Sequence, residues 1–324
     1  MKQHIKQHLQ HALIHHCTCL ALALLLAQTA TTASAAEFET LFSNQGSVAN
    51  TRHNLSQSSI VTSGAMITTR NNYGEVCVYC HTPHGANDTA AVQKLPLWNR
   101  TFRANTYATY DQLGTSSLSG PVTQPGLNSI ACLSCHDGTV AIDSIINMPG
   151  AGRASQTAKT NHDEAHLDGS WANNAVYPGT TVSNTHMAIG TSSPGSPAVG
   201  CMSCHSGPGG IEVATDFTVF AISTDLRNDH PVGIAFPASA GPSVDFNLPA
   251  TTRGNVKFFD LNGNGRPDTR EVRVYDSGDG FEVECASCHD PHGVPSAGAG
   301  SSFIPTFLRV ANNGSALCLT CHTK

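Results

Sequence analysis

One pentapeptide constrains this chain more than any other feature: two cysteines three residues apart, with a histidine directly after the second, occurring five times in 324 residues. It reads Cys77-Val78-Tyr79-Cys80-His81, Cys132-Leu133-Ser134-Cys135-His136, Cys201-Met202-Ser203-Cys204-His205, Cys285-Ala286-Ser287-Cys288-His289 and Cys318-Leu319-Thr320-Cys321-His322. Chance would produce about 0.02 such pentapeptides at this composition, so the repetition is a structural requirement. On a helical turn, positions i, i+3 and i+4 share one face, which turns two thiols and an imidazole to the same side. That is the attachment sequence of haem c, with the ten cysteines as thioether donors and His81, His136, His205, His289 and His322 as proximal iron ligands. Cys-x-x-Cys pairs also make zinc knuckles. Zinc, however, needs no histidine after every second cysteine, so five haem c groups are the expectation.

Residues 1–36 read as a secretory signal: Lys2 and Lys6, then the apolar run of residues 20–27, then Ala33-Ser34-Ala35-Ala36. That run is too short for a permanent membrane span, and none is expected after its removal. Cys17 and Cys19 leave with the signal, so all ten remaining cysteines lie in the motifs and no disulfide is expected. Fifteen basic residues then face 23 acidic ones, a net charge of −8. Without a basic patch to neutralise phosphates, no nucleic-acid partner is expected. A secreted, extracellular or cell-surface location is expected, with the periplasm as the alternative.

The first cysteines are 55, 69, 84 and 33 residues apart, too uneven for a solenoid. Residues 37–324 therefore read as a single pentahaem domain. It begins with an extended arm, 37–76, and an irregular haem-bearing loop is inserted at about 150–210. Strand-like runs occur at 211–214, 217–220, 256–259, 272–275 and 281–283, the last three suggesting a small antiparallel meander within about 255–284. The expected fold is a loop-rich multihaem cytochrome c with short helices at the motifs, where stacked haems replace most of the protein core.

A haem that only carries electrons has both axial positions filled, whereas a catalytic one leaves a position open. After the five proximal histidines, seven remain outside the signal: His53, His84, His162, His166, His186, His230 and His292. His84 and His292 share the spacing Cys-His-x-Pro-His-Gly, a rigid turn suited to a neighbouring iron. His230 lies between Asp229 and Pro231, and His53 is on the arm. His186 competes with His162 and His166 for the fifth place. The expected distal ligands are His53, His84, His186, His230 and His292.

Residues 260–271 match a calcium loop at each defined position, with Asp260, Asn262, Asn264, Asp268 and Glu271 as oxygen donors and Gly265 at the turn. Pro267 and the strand-like flanks argue against an EF-hand helix pair, so the reading is a structural Ca²⁺ staple between strands, with an unmetallated Asn/Gly turn as the alternative.

The strings at 76–85, 131–138, 284–292 and 317–322, together with Pro96-Leu97-Trp98-Asn99-Arg100 and Asp229-His230-Pro231, resemble those of secreted multihaem c-type cytochromes. Some of these, the OmcE/OmcS type, polymerise into extracellular nanowires. The resemblance implies bis-histidine haems in a stacked row, ligation that in part crosses between subunits, and a homopolymer that meets redox proteins or extracellular electron acceptors. Four motifs match the tetrahaem pattern, and that at Cys201 reads as an insertion. A soluble shuttle is the nearest alternative. A nitrite or sulfur-oxyanion reductase is disfavoured, because the pentahaem nitrite reductases carry a Cys-x-x-Cys-Lys motif and none occurs here.

Overall fold

Twenty-nine glycines and 17 prolines leave few uninterrupted runs, and the elements are correspondingly short. The computed structural model describes residues 43, 46–56, 73–89, 95–103, 105–115, 118, 120–148, 159–160, 167, 186–190, 200–206, 216–238, 245–294 and 306–323. Among these, four α-helices occur: α1 (Leu127–His136), α2 (Met202–His205), α3 (Cys285–Cys288) and α4 (Ala316–Cys321). Each carries an attachment motif. None is long and apolar enough to cross a membrane.

Strands β1 (Asn147–Met148) and β2 (Lys159–Thr160) form a two-stranded ladder. The larger sheet contains β3 (Ile234–Ala235), β4 (Thr251–Arg253), β5 (Val256–Phe258), β6 (Arg273–Asp276) and β7 (Phe281–Val283), in the order β3-β7-β6-β5-β4 and antiparallel throughout. The expected meander is its centre, with one strand added at each edge. A two-residue turn joins β4 to β5, and Gly254, at φ +61°, supplies the positive φ such a turn requires. Strand β7 runs directly into α3, so the sheet sets where the fourth motif begins.

Residues 217–220 depart from the strand expectation. Phe220 N and Ala221 N both return to Phe217 O, at 3.1 and 3.0 Å, which makes a turn. The i, i+3 spacing of the two phenylalanines places both in one apolar cluster, and that packing outweighs the local β preference. Residues 211–214 lie outside the described residues. The arm, expected to be extended, folds back over 46–56: a 3₁₀ turn spans Val48–Asn50, and Asn54 Nδ2 donates to Ala49 O at 2.9 Å.

Apolar burial is divided among small clusters instead of one core. Tyr73, Val78, Tyr79, Ile145, Ile146, Met148 and Leu167 pack around the first motif. Tyr107, Leu133 and Leu226 support α1, and Ile142, Ile189 and Met202 support α2.

Candidate haem sites

In four motifs the histidine N–H returns to the carbonyl of the first cysteine: His81 to Cys77 at 2.7 Å, His205 to Cys201 and His289 to Cys285 at 3.1 Å, and His322 to Cys318 at 2.8 Å. The remaining motif lies within α1. This i→i−4 closure gathers both sulfurs and the imidazole on one side. His81, His289 and His322 then enter antiparallel bridges with Trp98, Leu308 and Phe246, which hold each residue after its turn.

The imidazoles are prepared as ligands by backbone carbonyls. Nδ1 of His81 faces Pro96 O at 2.7 Å, that of His136 faces Phe220 O at 2.8 Å, and that of His289 faces Thr306 O. His53 and His230 repeat the pattern with Pro291 O and Pro231 O, both at 3.0 Å. A carbonyl only accepts, so Nδ1 carries the proton and a neutral ring presents a bare Nε2 to a metal. Burial lowers the pKa of all five against the raising effect of these bonds, and takes His53 down to about 4. His292 instead sets Nδ1 3.0 Å from Asp290 Oδ1. Desolvation would raise Asp290, but hydrogen bonds from His292 and the charge of Arg309, whose Nη1 lies 3.0 Å from Oδ2, hold it down to about 2.

Two imidazole pairs face each other. His81 and His292 have ring centroids 6.3 Å apart with planes 17° from parallel, and His53 and His136 are 6.2 Å apart at 83°. A metal–imidazole bond of about 2.0–2.1 Å, with about 1.1 Å from nitrogen to ring centre, separates two imidazoles across one metal by roughly 6.2–6.4 Å. The centroid separations of both pairs match that span. His230 lies within electrostatic reach of His322. Near the first motif, Trp98 Nε1 and Arg100 Nε are buried without a protein acceptor, donors of the kind a buried propionate satisfies.

The cysteines fit haem better than zinc. Each of the five Cys-x-x-Cys pairs is followed at once by a histidine, which the haem attachment sequence requires and a zinc knuckle does not. Among the described residues, no three His, Cys, Asp or Glu side chains form a metal cluster. The thiols stand where thioether sulfurs sit in the haem-bearing chain, so their contacts report proximity alone. Arg100, beside the first motif, donates to Ser134 O of the second at 2.8 Å, Cys285 N of the fourth donates to Ser129 Oγ of α1 at 2.9 Å, and the Cys288 thiol raises the pKa of Cys321 in the fifth. Motifs one, two, four and five are thus neighbours in that order.

The structure also describes the surroundings of His186 and of residues 260–271. His186 is buried, with Nδ1 2.7 Å from Asp143 Oδ1 and Nε2 on Leu167 O. These contacts tie His186 to the segments around residues 143 and 167. Its competitors His162 and His166 lie outside the described residues. The loop at 260–271 closes on its own hydrogen bonds. Asp260 accepts from Asn264 N and Gly265 N at 3.1 and 2.9 Å, Glu271 from Leu261 N and Asp268 N at 2.7 and 2.9 Å, and Asp268 from the Asn262 and Asn264 amides at 2.7 and 2.8 Å. In this arrangement the Asn262 and Asn264 amides turn N–H groups toward Asp268, while their oxygens accept from Asn264 N and Arg266 N. His84 is exposed, with its carbonyl held by Thr82 Oγ1 at 2.8 Å.

Residues 96–100 acquire roles that periodicity could not reveal. Pro96 O holds His81, and Asn99 Nδ2 donates to Val78 O at 2.7 Å. Arg100, 1% exposed, donates to Ser134 O, Ala141 O and Ile142 O at 2.8, 2.9 and 3.0 Å, joining the first motif to the end of α1. The unusual cluster Trp-Asn-Arg was the available signal.

Residues 280–324 match a family model described as the doubled CXXCH motif. A search of curated proteins found no match. The matched segment holds the fourth and fifth motifs, and such pairing indicates covalently bound haem c, as in multihaem electron-transfer cytochromes.

Proposed function

We propose that this chain carries electrons through five covalently bound bis-histidine haems and serves as a subunit of a secreted, extracellular cytochrome filament. The haem, when bound, supplies an iron centre that changes by one electron. The ten motif cysteines would hold the group by thioethers, and the carbonyls at Nδ1 of His53, His81, His136, His230 and His289 would fix the tautomer of those ligands. The observation that carries this reading is the pair of facing imidazoles, His81 with His292 and His53 with His136, because a closed iron conducts and does not bind substrate. The exposed His84, on a backbone turn held by Thr82 Oγ1, favours polymerisation, since an imidazole turned to solvent suits an iron of a second copy. Other expected partners are redox proteins or extracellular acceptors.

Haem quantification and electron paramagnetic resonance of the purified protein test the first part, with five low-spin haems per chain expected. A substantial high-spin fraction would instead favour a reductase. Cryo-electron microscopy of secreted material tests the second. Particles that remain monomeric at high concentration would leave a soluble periplasmic shuttle.

A further inference from the structure

The third motif is attached to the second by a continuous aromatic path. The His205 ring stacks on Phe217 at 3.8 Å and 6°, Phe217 meets Phe220 at 4.6 Å, and Phe220 meets the His136 ring edge-on at 6.2 Å. The backbone follows the same route. Phe217 N donates to His205 O at 2.8 Å, Ile222 N donates to His136 O at 2.9 Å, and Phe220 O accepts from the His136 ring. Met202 of the third motif shares an apolar cluster with Cys135 of the second.

The second motif is meanwhile occupied on other sides. Asn99 N donates to Cys80 O of the first motif and the adjacent Arg100 to Ser134 O of the second, both at 2.8 Å, and Cys285 N of the fourth donates to Ser129 Oγ of α1 at 2.9 Å. His53, which faces His136, hydrogen-bonds Pro291 O beside the fourth motif. The second site therefore has three neighbours: the first and fourth motifs in the row, and the third to one side.

We propose that the third haem site is a lateral branch on the second, bridged by Phe217 and Phe220, so that the chain is a three-way electron junction and not a row of five. This inference rests on the electron-transfer reading above. One electron from a one-electron donor, such as a low-potential redox protein docked at the third site, passes to the second site and on in either direction. Each transfer oxidises one site by one electron and reduces the next, with no bond made and no proton moved. The insertion thus adds a side entry without lengthening the row.

The test uses the full haem-loaded chain. Cys201→Ala with Cys204→Ala should lower the haem count from five to four and shift the paramagnetic NMR signals of one remaining haem, leaving three unchanged. Shifts at two haems would place the third site within the row, and shifts at none would place it apart; either overturns the branch. Pulsed dipolar spectroscopy of the unaltered oxidised protein provides an independent reading if that variant misfolds. One haem with three short distances supports the junction, whereas a largest number of two overturns it. Fewer than five haems in the unaltered protein would instead undermine the electron-transfer reading of these sites.

Discussion

Replacing Glu284 with glutamine is expected to flatten the pH dependence of stability between about 4.5 and 8. Glu284 precedes α3 and is 1% exposed. Its Oε1 accepts from Gly126 N at 3.0 Å, and Oε2 is engaged by Ser129 Oγ, which accepts from Cys285 N at 2.9 Å. A β-carbon on Gly126 would stand 2.4 Å from Oε1, so glycine is needed at the start of α1 for this carboxyl to fit. Desolvation pushes Glu284 up to about 8 from an ordinary 4.5, against the lowering bond from Ser129. The folded chain keeps a proton that the unfolded chain releases, so stability is full below 4.5 and is lost as pH rises through 8. The difference of 3.5 between the two values corresponds to about 4–5 kcal/mol over that window. Glutamine keeps an oxygen for Gly126 N and offers an N–H to Ser129 Oγ, which reproduces the neutral acid. Guanidinium unfolding followed by circular dichroism at pH 5 and pH 8 measures the effect. The natural protein should lose several kcal/mol between the two, and Glu284→Gln much less. Parallel losses in both would refute the burial argument.

Further outcomes follow from the same geometry. His292→Ala should open one axial position, turning about a fifth of the haem high-spin and able to bind carbon monoxide, as read by optical titration. His186→Ala should leave every haem low-spin yet lower stability by about 1–3 kcal/mol, because it strands the buried Asp143; a new high-spin signal would restore His186 as a ligand. Arg100→Met should cost about 2–4 kcal/mol in chemical denaturation, since three carbonyls lose a charged donor and only part of its desolvation cost is recovered. A calcium chelator should not move the melting temperature, as the loop at 260–271 is already closed by its own hydrogen bonds; a drop of several degrees would show a bound cation.

Short-range readings survived where local geometry carried them. The helical turns at the motifs, the helix at Ala316–Cys321 and the hairpins around β5, β6 and β7 each depend on residues close in sequence. The strand reading at 217–220 failed because packing against His205 decided that segment. Nothing near His186 in sequence announces its contact with Asp143, 43 positions earlier. At residues 260–271, amide orientation and internal hydrogen bonds are likewise invisible in a spacing pattern.

The amino-acid sequence by itself determined what each site is made of. Two sulfurs and an imidazole on one helical turn are set by i, i+3 and i+4 geometry, and ten cysteines in five pairs leave no other use for them. Tertiary structure decided which sites meet. His53 reaches Pro291 across 238 positions, and α1 approaches α3 through Glu284, Ser129 and Cys285. Such pairings depend on shape, burial and the hydrogen bonds of whole segments, none of which has a period in the chain. For the same reason, the pentapeptide at Cys201 looks like the other four, and only its packing against Phe217 and Phe220 places it beside the second site.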